Sequence, residues 1–416
     1  MKMRNVVALG LLMITPACGY ESDAPAVVKA QVIVWDGFEQ SNETTSFAVK
    51  EETLSTLIDF HNLTGPNVRL YRGGELVARE VAGSVALDGR LSAGHAPQLR
   101  YTVRGGVIVA RDYSSLAMLS AYNALERSFV AVEQVLGFNI PDLGAKRPID
   151  VFFEPRVRID SDVSATVIQK FNAFFVPRAH QFGLARRSEL EQAPLSADQM
   201  VLTHEIGHLV FEHFFNANDP PDCIDDNSQL PARDRLALEY AISGLNEGMA
   251  DFLSFAVTGS TDVLAAQPRV KAQRSLIKGA FDFAAVNQKC ENSFYCVGTV
   301  FARSLYQAFL AQGGVPSEST SRGPFAVAVI ASLSGVLDKL AARTDLPGFE
   351  LTESQCDGRD ELFHSTHDAP ILGAFLDTLA GQAPPPLDAA LCAAFVANFG
   401  NAGFPEQVRT KCATAM

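Results

Sequence analysis

The chain of 416 residues is 47% hydrophobic and 19% charged, and its formal net charge is −13. This composition indicates a globular protein with a sizeable buried core and excludes an intrinsically disordered chain. The acidic balance, with no basic run anywhere in the sequence, argues against a nucleic-acid partner.

The N-terminus has the pattern of an export signal. Lys2 and Arg4 form a basic start, and the apolar stretch from Val6 to Ile14 is too short to cross a bilayer as a mature helix. We expect residues 1–18 to be a signal peptide and the protein to be exported. Cys18 follows a small residue, as at bacterial lipoprotein processing sites, so a lipidated Cys18 would anchor the protein to the cell envelope. A leader cut as a plain secretory signal would leave it secreted.

Apart from Cys18, the chain has six cysteines. An even number in an exported chain predicts disulfide bonds, and none of the six has the paired spacing of a structural zinc site. The pairing that local spacing favours is Cys290 with Cys296, Cys392 with Cys412 and, by remainder, Cys223 with Cys356.

The first part of the mature chain, residues 19–98, is predicted to be small and β-rich. Val68–Arg72 alternates apolar and polar residues, then Gly73 and Gly74 form a turn before a second apolar stretch. No residue type or spacing here indicates catalysis. The sequence leaves open whether this region is a sandwich, a cap or the remnant of a pro-region.

Residues 99–262 change from strand patterns to a longer helical one. A helix is predicted from Ser114 to about Leu136, where Gly137 closes it, and a short strand from Pro148 to Phe153. A strand, a turn and a second strand then lead to a further helix at about 197–215. Ser196 is the expected N-cap of that helix, with Gln199 three residues on as in a capping box.

That helix contains the motif His204-Glu205-x-x-His208. Residues at i and i+4 share one face of a helix, so His204 and His208 can bind a single metal ion. Glu205 leans toward the same ion and can accept a proton from a water molecule there. His213, five residues after His208, is expected to face away from the ion.

A catalytic zinc ion takes three protein ligands and a water molecule, so a third ligand is needed. Glu247, on a second predicted helix from Arg233 to Val257, is the best candidate. Asp251 follows at i+4 on the same face, where it can accept the free imidazole N–H of a ligand histidine. A cation between the two helices would relieve the repulsion between these two acids.

Residues 263–416 are predicted to form a mostly α-helical lobe, with a Ser/Thr/Gly-rich connector at 316–323. The predicted fold class is therefore α+β: a β-rich N-terminal region, a mixed sheet with an edge strand beside the motif helix, and a helical lobe. The clearest predicted helices of that lobe are Val297–Leu310, Phe325–Ala342, Ile371–Leu379 and Leu387–Ala397.

The two metal motifs together resemble those of the gluzincin metallopeptidases, especially the thermolysin-like and fungalysin-like branches. The segment Asn172-Ala173-Phe174 resembles the edge-strand segment with which thermolysin-like enzymes bind the substrate backbone. The resemblance spans roughly 99–314 and implies a zincin-type catalytic domain that holds Zn²⁺. It implies that His204, His208 and Glu247 are the zinc ligands and that Glu205 is the general base. It also implies that Asp251 accepts a hydrogen bond from a ligand histidine, and that Asn172 and Ala173 bind the substrate.

The sequence departs from this family at the histidine that stabilises the oxyanion. Phe294 or Tyr295 stands there, and the Tyr295 hydroxyl is our main candidate for the missing donor. Tyr240 is the only tyrosine between the two zinc motifs, although its spacing from Glu247 differs slightly from that of the family. Both tyrosines are therefore candidate catalytic residues.

Our leading hypothesis is a zinc-dependent endopeptidase that acts on protein or peptide substrates. One alternative is a catalytically weak or inactive binding or scaffold protein of the cell envelope that keeps the fold. Another is an aminopeptidase of the same clan, although no glycine-rich amine-binding pattern precedes His204. The intact Glu205 favours an enzyme, because a binding protein has no need of a general base.

Overall fold

The structure is a computed structural model, and it describes only part of the chain. The predicted signal peptide with Cys18, and also Asn172, lie outside the described part. The residues described are 28–39, 44–81, 84–86, 90–137, 139, 143–159, 166–167, 173–176, 179–184, 195–215, 232–262, 274–277, 294–334, 336, 339 and 376–399.

Twelve strands are described, and they form three four-stranded sheets with the orders β2-β1-β7-β6, β10-β9-β4-β5 and β11-β12-β8-β3. Their bounds are β1 Val28–Glu39, β2 Thr44–Leu54, β3 Val68–Arg72, β4 Glu75–Val81, β5 Ser84–Ala86, β6 Tyr101–Arg104, β7 Val107–Ala110, β8 Ile149–Phe153, β9 Arg156–Ile159, β10 Thr166–Val167, β11 Ala173–Val176 and β12 Gln181–Leu184.

The third sheet carries the candidate site and is mixed. β3 and β12 run parallel to β8, while β11 runs antiparallel to β12. The central strand β8 is almost continuously apolar, as expected of a parallel strand buried on both faces. β11 is the last strand of this sheet among those described. The predicted mixed sheet with an edge strand is therefore present.

Five of the six principal helices lie within three residues of their predicted bounds, whereas the helix predicted at Phe325–Ala342 runs from Ser319 to Leu333. The first of them begins at the Asp112 cap and ends at Gly137, whose positive φ of 71° suits a residue without a Cβ atom. Their bounds are α1 Tyr113–Leu136, α2 Gln199–Phe215, α3 Ala232–Thr258, α4 Phe294–Ala311, α5 Ser319–Leu333 and α6 Leu387–Phe399.

The predicted N-cap of the motif helix is wrong. Ser196 lies in a short 3-10 turn, Leu195–Ala197, and its buried hydroxyl makes no hydrogen bond to any described residue. Asp198 caps α2 instead, because its Oδ1 accepts a 2.9 Å hydrogen bond from the Met200 backbone N–H. The extra turn shifts the helix start by two residues.

Helices α2, α3 and α4 approach one another closely at glycines. A Cβ atom on Gly207 of α2 would lie 2.7 Å from Ala250 Cα of α3. A Cβ atom on Gly248 of α3 would lie 2.4 Å from the Gly298 carbonyl oxygen of α4. These contacts set the spacing of the helices on either side of Glu247.

The N-terminal region is β-rich, as predicted, but its strands are shared with the rest of the chain. β1 pairs with β7, β3 with β8, and β4 with β9. All three sheets therefore contain strands from both sides of the predicted boundary at 98/99. The division into domains itself stays a prediction.

The described part of the C-terminal region is helical, as predicted, with one difference in extent. The predicted connector at 316–323 contains the first turns of α5, which begins at Ser319. The side chain of Arg322 explains this, since it is buried and donates to the Ala256 carbonyl oxygen near the end of α3. No helix among the described residues is both long and apolar enough to span a membrane.

The disulfide pairing also stays a prediction. Cys296 and Cys392 are half-cystines. The other four cysteines of the predicted pairs lie outside the described residues.

Candidate metal centre

Three side chains from two helices converge as the sequence predicts. His204 and His208 lie one turn apart on α2, and Glu247 faces them from α3. One potential ligand atom from each residue lies within 4.8 Å of the other two. His204 Nε2 is 3.2 Å from Glu247 Oε2, and His208 Nε2 is 3.7 Å from Glu247 Oε1.

These distances are close to the separations between ligand atoms around a zinc ion. Ligand atoms that each lie about 2.0–2.2 Å from one ion stand roughly 3.3–3.6 Å apart in a tetrahedron. Two imidazoles and one carboxylate leave the fourth position for water, as in catalytic rather than structural zinc sites. The residues present therefore fit the metal that the two motifs imply.

Both histidines have an oxygen atom within 3 Å of Nδ1. His204 Nδ1 lies 2.9 Å from Asp251 Oδ1, which is fully buried. His208 Nδ1 donates a 2.8 Å hydrogen bond to the Asn246 side-chain oxygen. Each ring therefore presents Nε2 toward Glu247, as carboxylate or carbonyl partners commonly ensure for metal-binding histidines. Asp251 has the place that its spacing from Glu247 predicts, whereas no role was predicted for Asn246, which directly precedes Glu247.

Arg274 completes the site and was not predicted from the sequence. Its buried guanidinium donates to Glu247 Oε2 over 2.8 Å, and to Asp251 through Nη2 over 2.6 Å and Nε over 3.1 Å. The guanidinium carbon also lies 5.0 Å from the centre of the Tyr295 ring. No motif spacing points to Arg274, because it follows Asp251 by 23 positions in the chain.

The charges around the cluster give the two histidines very different pKa values. Burial alone would lower the pKa of His204, but Asp251 and Glu247 raise it to about 9. Burial lowers the pKa of His208 to about 4. Burial would raise the pKa of Glu247, yet Arg274 and the histidines hold that pKa well below its usual range. Near neutral pH the cluster therefore contains an ionised Glu247, a neutral His208 and a protonated His204.

Glu205 is buried beside this cluster. Burial raises the pKa of its carboxyl group to about 7, and the charge of Glu247 adds to the rise. A hydrogen bond from the Phe175 backbone N–H of β11 lowers the pKa of Glu205. The group can therefore take up and release a proton near neutral pH, next to the edge strand.

The remaining predicted site residues lie in different places. Tyr295 is on α4, 37% exposed, and burial of its ring raises the pKa of the hydroxyl to about 12. Tyr240 lies on α3, but its side chain is outside the described part of the structure. Ala173 begins β11 and pairs with Leu184. Tyr295 lies at the side of the cluster, with its ring against Arg274.

Comparisons with known proteins give little guidance. No protein-family model matches the chain. No curated protein matches it either. One similar solved structure is the precursor of protealysin, a metalloproteinase from Serratia proteamaculans, with 13% sequence identity and a TM-score of 0.38 over 83% of this chain and 91% of that chain. At so low a TM-score the similarity indicates nothing about function, and the function that we propose rests on the geometry of the site.

Proposed function

We propose that this chain is a zinc-dependent endopeptidase. The observation that carries the proposal is the convergence of His204, His208 and Glu247 with an ionisable, buried Glu205 beside them. A site that only binds metal has no need of a carboxyl group whose pKa lies near 7 in contact with an edge strand.

The chemistry divides between the ion and the chain. A bound zinc ion would acidify a water molecule and polarise the scissile carbonyl. Glu205 accepts the proton of the attacking water while the new C–O bond forms at that carbonyl. Glu205 then passes the proton to the amide nitrogen as the C–N bond breaks, so that an acid and an amine leave. A pKa near 7 suits a group that must both accept and donate a proton.

The edge strand β11 supports a peptide as substrate. β11 is the last described strand of its sheet, α2 packs against it, and its Phe175 backbone contacts Glu205. An extended peptide that adds to this edge by backbone hydrogen bonds would pass over the site whatever its side chains. Ala173, the first residue of this strand, and Asn172, which precedes it in the sequence, are the residues proposed to hold the peptide.

Tyr295 is the proposed donor to the oxyanion. Its raised pKa keeps the hydroxyl protonated through the neutral range, so it can donate a hydrogen bond. The Arg274 guanidinium lies against the ring and restricts its position. Tyr240 remains a weaker candidate for the same role.

The test is Glu205→Gln in the full chain, compared with wild type for zinc content and for digestion of a peptide library. We expect one zinc ion in both proteins and a fall in hydrolysis of about 10²- to 10⁴-fold in the variant, because only proton transfer is removed. The exposed Glu51 supplies the control, Glu51→Gln, which should hydrolyse like wild type.

Three results would overturn the proposal. The first is full hydrolysis by Glu205→Gln. The second is a wild-type protein that holds zinc and cleaves no peptide, which would favour the binding or scaffold alternative. The third is release of single N-terminal residues only, which would point to the aminopeptidase.

A further inference from the structure

Glu212 lies on the same side of α2 as the metal cluster. An α-helix turns by about 100° per residue, so Glu212 lies about 40° round from His208 and about 20° from Glu205. It is one turn, about 6 Å, beyond His208 toward the end of the helix.

The Glu212 carboxyl group is largely buried and has no hydrogen-bond or ionic partner among the described residues. Its Oε2 atom is shielded from solvent and makes no hydrogen bond to any described residue. Burial alone raises the pKa of Glu212 to about 7, with no cation in the described part of the chain to oppose it. The residue as a whole is only partly buried and Oε1 is not among the shielded atoms, so an incoming group can reach the carboxyl group at Oε1.

A purely structural role does not account for this carboxyl group. A buried carboxylate without a partner destabilises the fold, and an apolar side chain at this position would avoid that cost. Among the described residues, the buried cation at the metal cluster is Arg274, and it already bonds to Glu247 and Asp251. The sequence that follows α2 brings no lysine or arginine before Arg233. The partner that the carboxyl group lacks is a positive charge.

We propose that Glu212 binds a cationic group of the peptide substrate, an ammonium or a guanidinium, and so makes the site prefer basic peptides. The inference rests on the proposed peptidase function and adds a substrate class to it. A cation close to the carboxylate forms a charge-assisted hydrogen bond and offsets the burial of the negative charge. The ammonium of lysine, the guanidinium of arginine and a free N-terminal amine share this chemistry.

The test measures peptide binding rather than turnover, so that it reads out Glu212 whether or not cleavage occurs. The protein is the full chain with Glu205→Gln, loaded with zinc, with and without Glu212→Gln. The ligands are neutral peptides in which each position in turn is glutamine or lysine, made with either a free or an acetylated N-terminus. Glu212→Gln keeps the size and hydrogen-bonding capacity of the side chain and removes only its charge.

We expect lysine at one position to tighten binding about tenfold over glutamine, and Glu212→Gln to abolish that difference. Binding of the neutral peptides should not change. If acetylation rather than the lysine position controls the gain, the bound cation is the N-terminal amine; otherwise it is a side chain. Glu51→Gln, an exposed matched change, should leave the preference intact.

Several outcomes would overturn the inference. They are equal binding of lysine, glutamine, free and acetylated peptides, a preference that survives Glu212→Gln, or no peptide binding at all. Thermal unfolding of Glu212→Gln should occur at or above the temperature of its parent, since the substitution removes a buried charge. Failure of wild type to cleave any peptide would count against the proposed function, while the binding comparison would still decide the role of Glu212.

Discussion

Arg274 Nη2 lies 2.6 Å from Asp251 Oδ1, so a buried cation is held against the acid that orients the first histidine of the cluster. The same Nη2 atom contacts Glu247 Oε2 at 2.8 Å. One guanidinium therefore neutralises two acids that lie one turn apart on α3. This pairing provides the countercharge that the two acids were expected to need.

Arg274→Gln should destabilise the zinc-free protein severely. The substitution leaves Glu247 and Asp251 buried without their cation, and breaking a buried ion pair costs about 3–5 kcal/mol. The measurement is the free energy of unfolding in urea. Arg100 provides the control, because it also has an acidic partner, Asp112 at 3.8 Å, but its side chain is 80% exposed. Arg100→Gln should change the free energy of unfolding by less than about 0.5 kcal/mol. A loss below about 1 kcal/mol for Arg274→Gln would contradict the pairing.

The elements around the site could be predicted because their signals are local. The helical period of α1, the hairpin β11–β12 and the spacing of His204 and His208 each depend on neighbouring residues. The pairing of β3 with β8 was not predicted, since it joins Val68 to Ile149 and no turn chemistry links them. The start of α2 was misplaced because Ser196 and Asp198 both carry capping oxygens, and only the extra 3-10 turn selects Asp198.

The candidate site divides in the same way. Glu247 and Asp251 could be predicted as a pair because their i, i+4 spacing puts both on one helix face. Arg274 and Glu212 could not. The place of Arg274 depends on how the chain returns to α3, and the importance of Glu212 depends on what its neighbours leave unpaired. Burial and pairing are properties of the packed molecule, and the sequence pattern records neither.

Zinc binding should release about one proton from the protein at pH 7. The pKa of His204 is about 9, so its ring carries a proton that must leave before Nε2 can bind a metal, whereas His208 and Glu247 are already deprotonated. Zinc affinity should therefore rise about tenfold for each pH unit from 6 to 8. Calorimetry in buffers of different ionisation enthalpy measures the proton count.

Asp251→Asn is the matched change for this prediction. It removes the negative charge that raises the pKa of His204, so the number of protons released at pH 7 should fall well below one. Release of no proton by wild type, or the same number by both proteins, would contradict the assignment of the proton to His204.

Tyr295→Phe should lower kcat without altering the metal site. The hydroxyl stays protonated because its pKa is raised to about 12, and loss of one oxyanion donor typically costs about 10²- to 10³-fold in kcat. KM, zinc content and thermal stability should stay close to wild type, because the ring still packs on Arg274. Tyr101→Phe, at a similarly exposed tyrosine on β6, is the control. An unchanged kcat for Tyr295→Phe would show that the Tyr295 hydroxyl does not donate a hydrogen bond to the oxyanion.

Gly248→Ala should weaken zinc binding through the spacing of two helices. The added Cβ atom would lie 2.4 Å from the Gly298 carbonyl oxygen, which is backbone and cannot rotate away, so α3 and α4 must separate. Glu247 is the adjacent residue on α3, and a shift of its carboxylate away from the two histidines loses ligand geometry. We expect a loss of about 1–3 kcal/mol in stability and at least about tenfold in zinc affinity.

Gly381→Ala is the control for that prediction, because Gly381 is also helical and a Cβ atom there would meet nothing within 4 Å. Alanine costs less conformational entropy than glycine in a helix, so Gly381→Ala should stabilise the protein by about 0.5–1 kcal/mol and leave zinc affinity unchanged. Opposite signs for two identical substitutions would separate the effect of helix spacing from that of helix propensity. If Gly248→Ala bound zinc like wild type, the close approach of α3 to α4 would not be what positions Glu247.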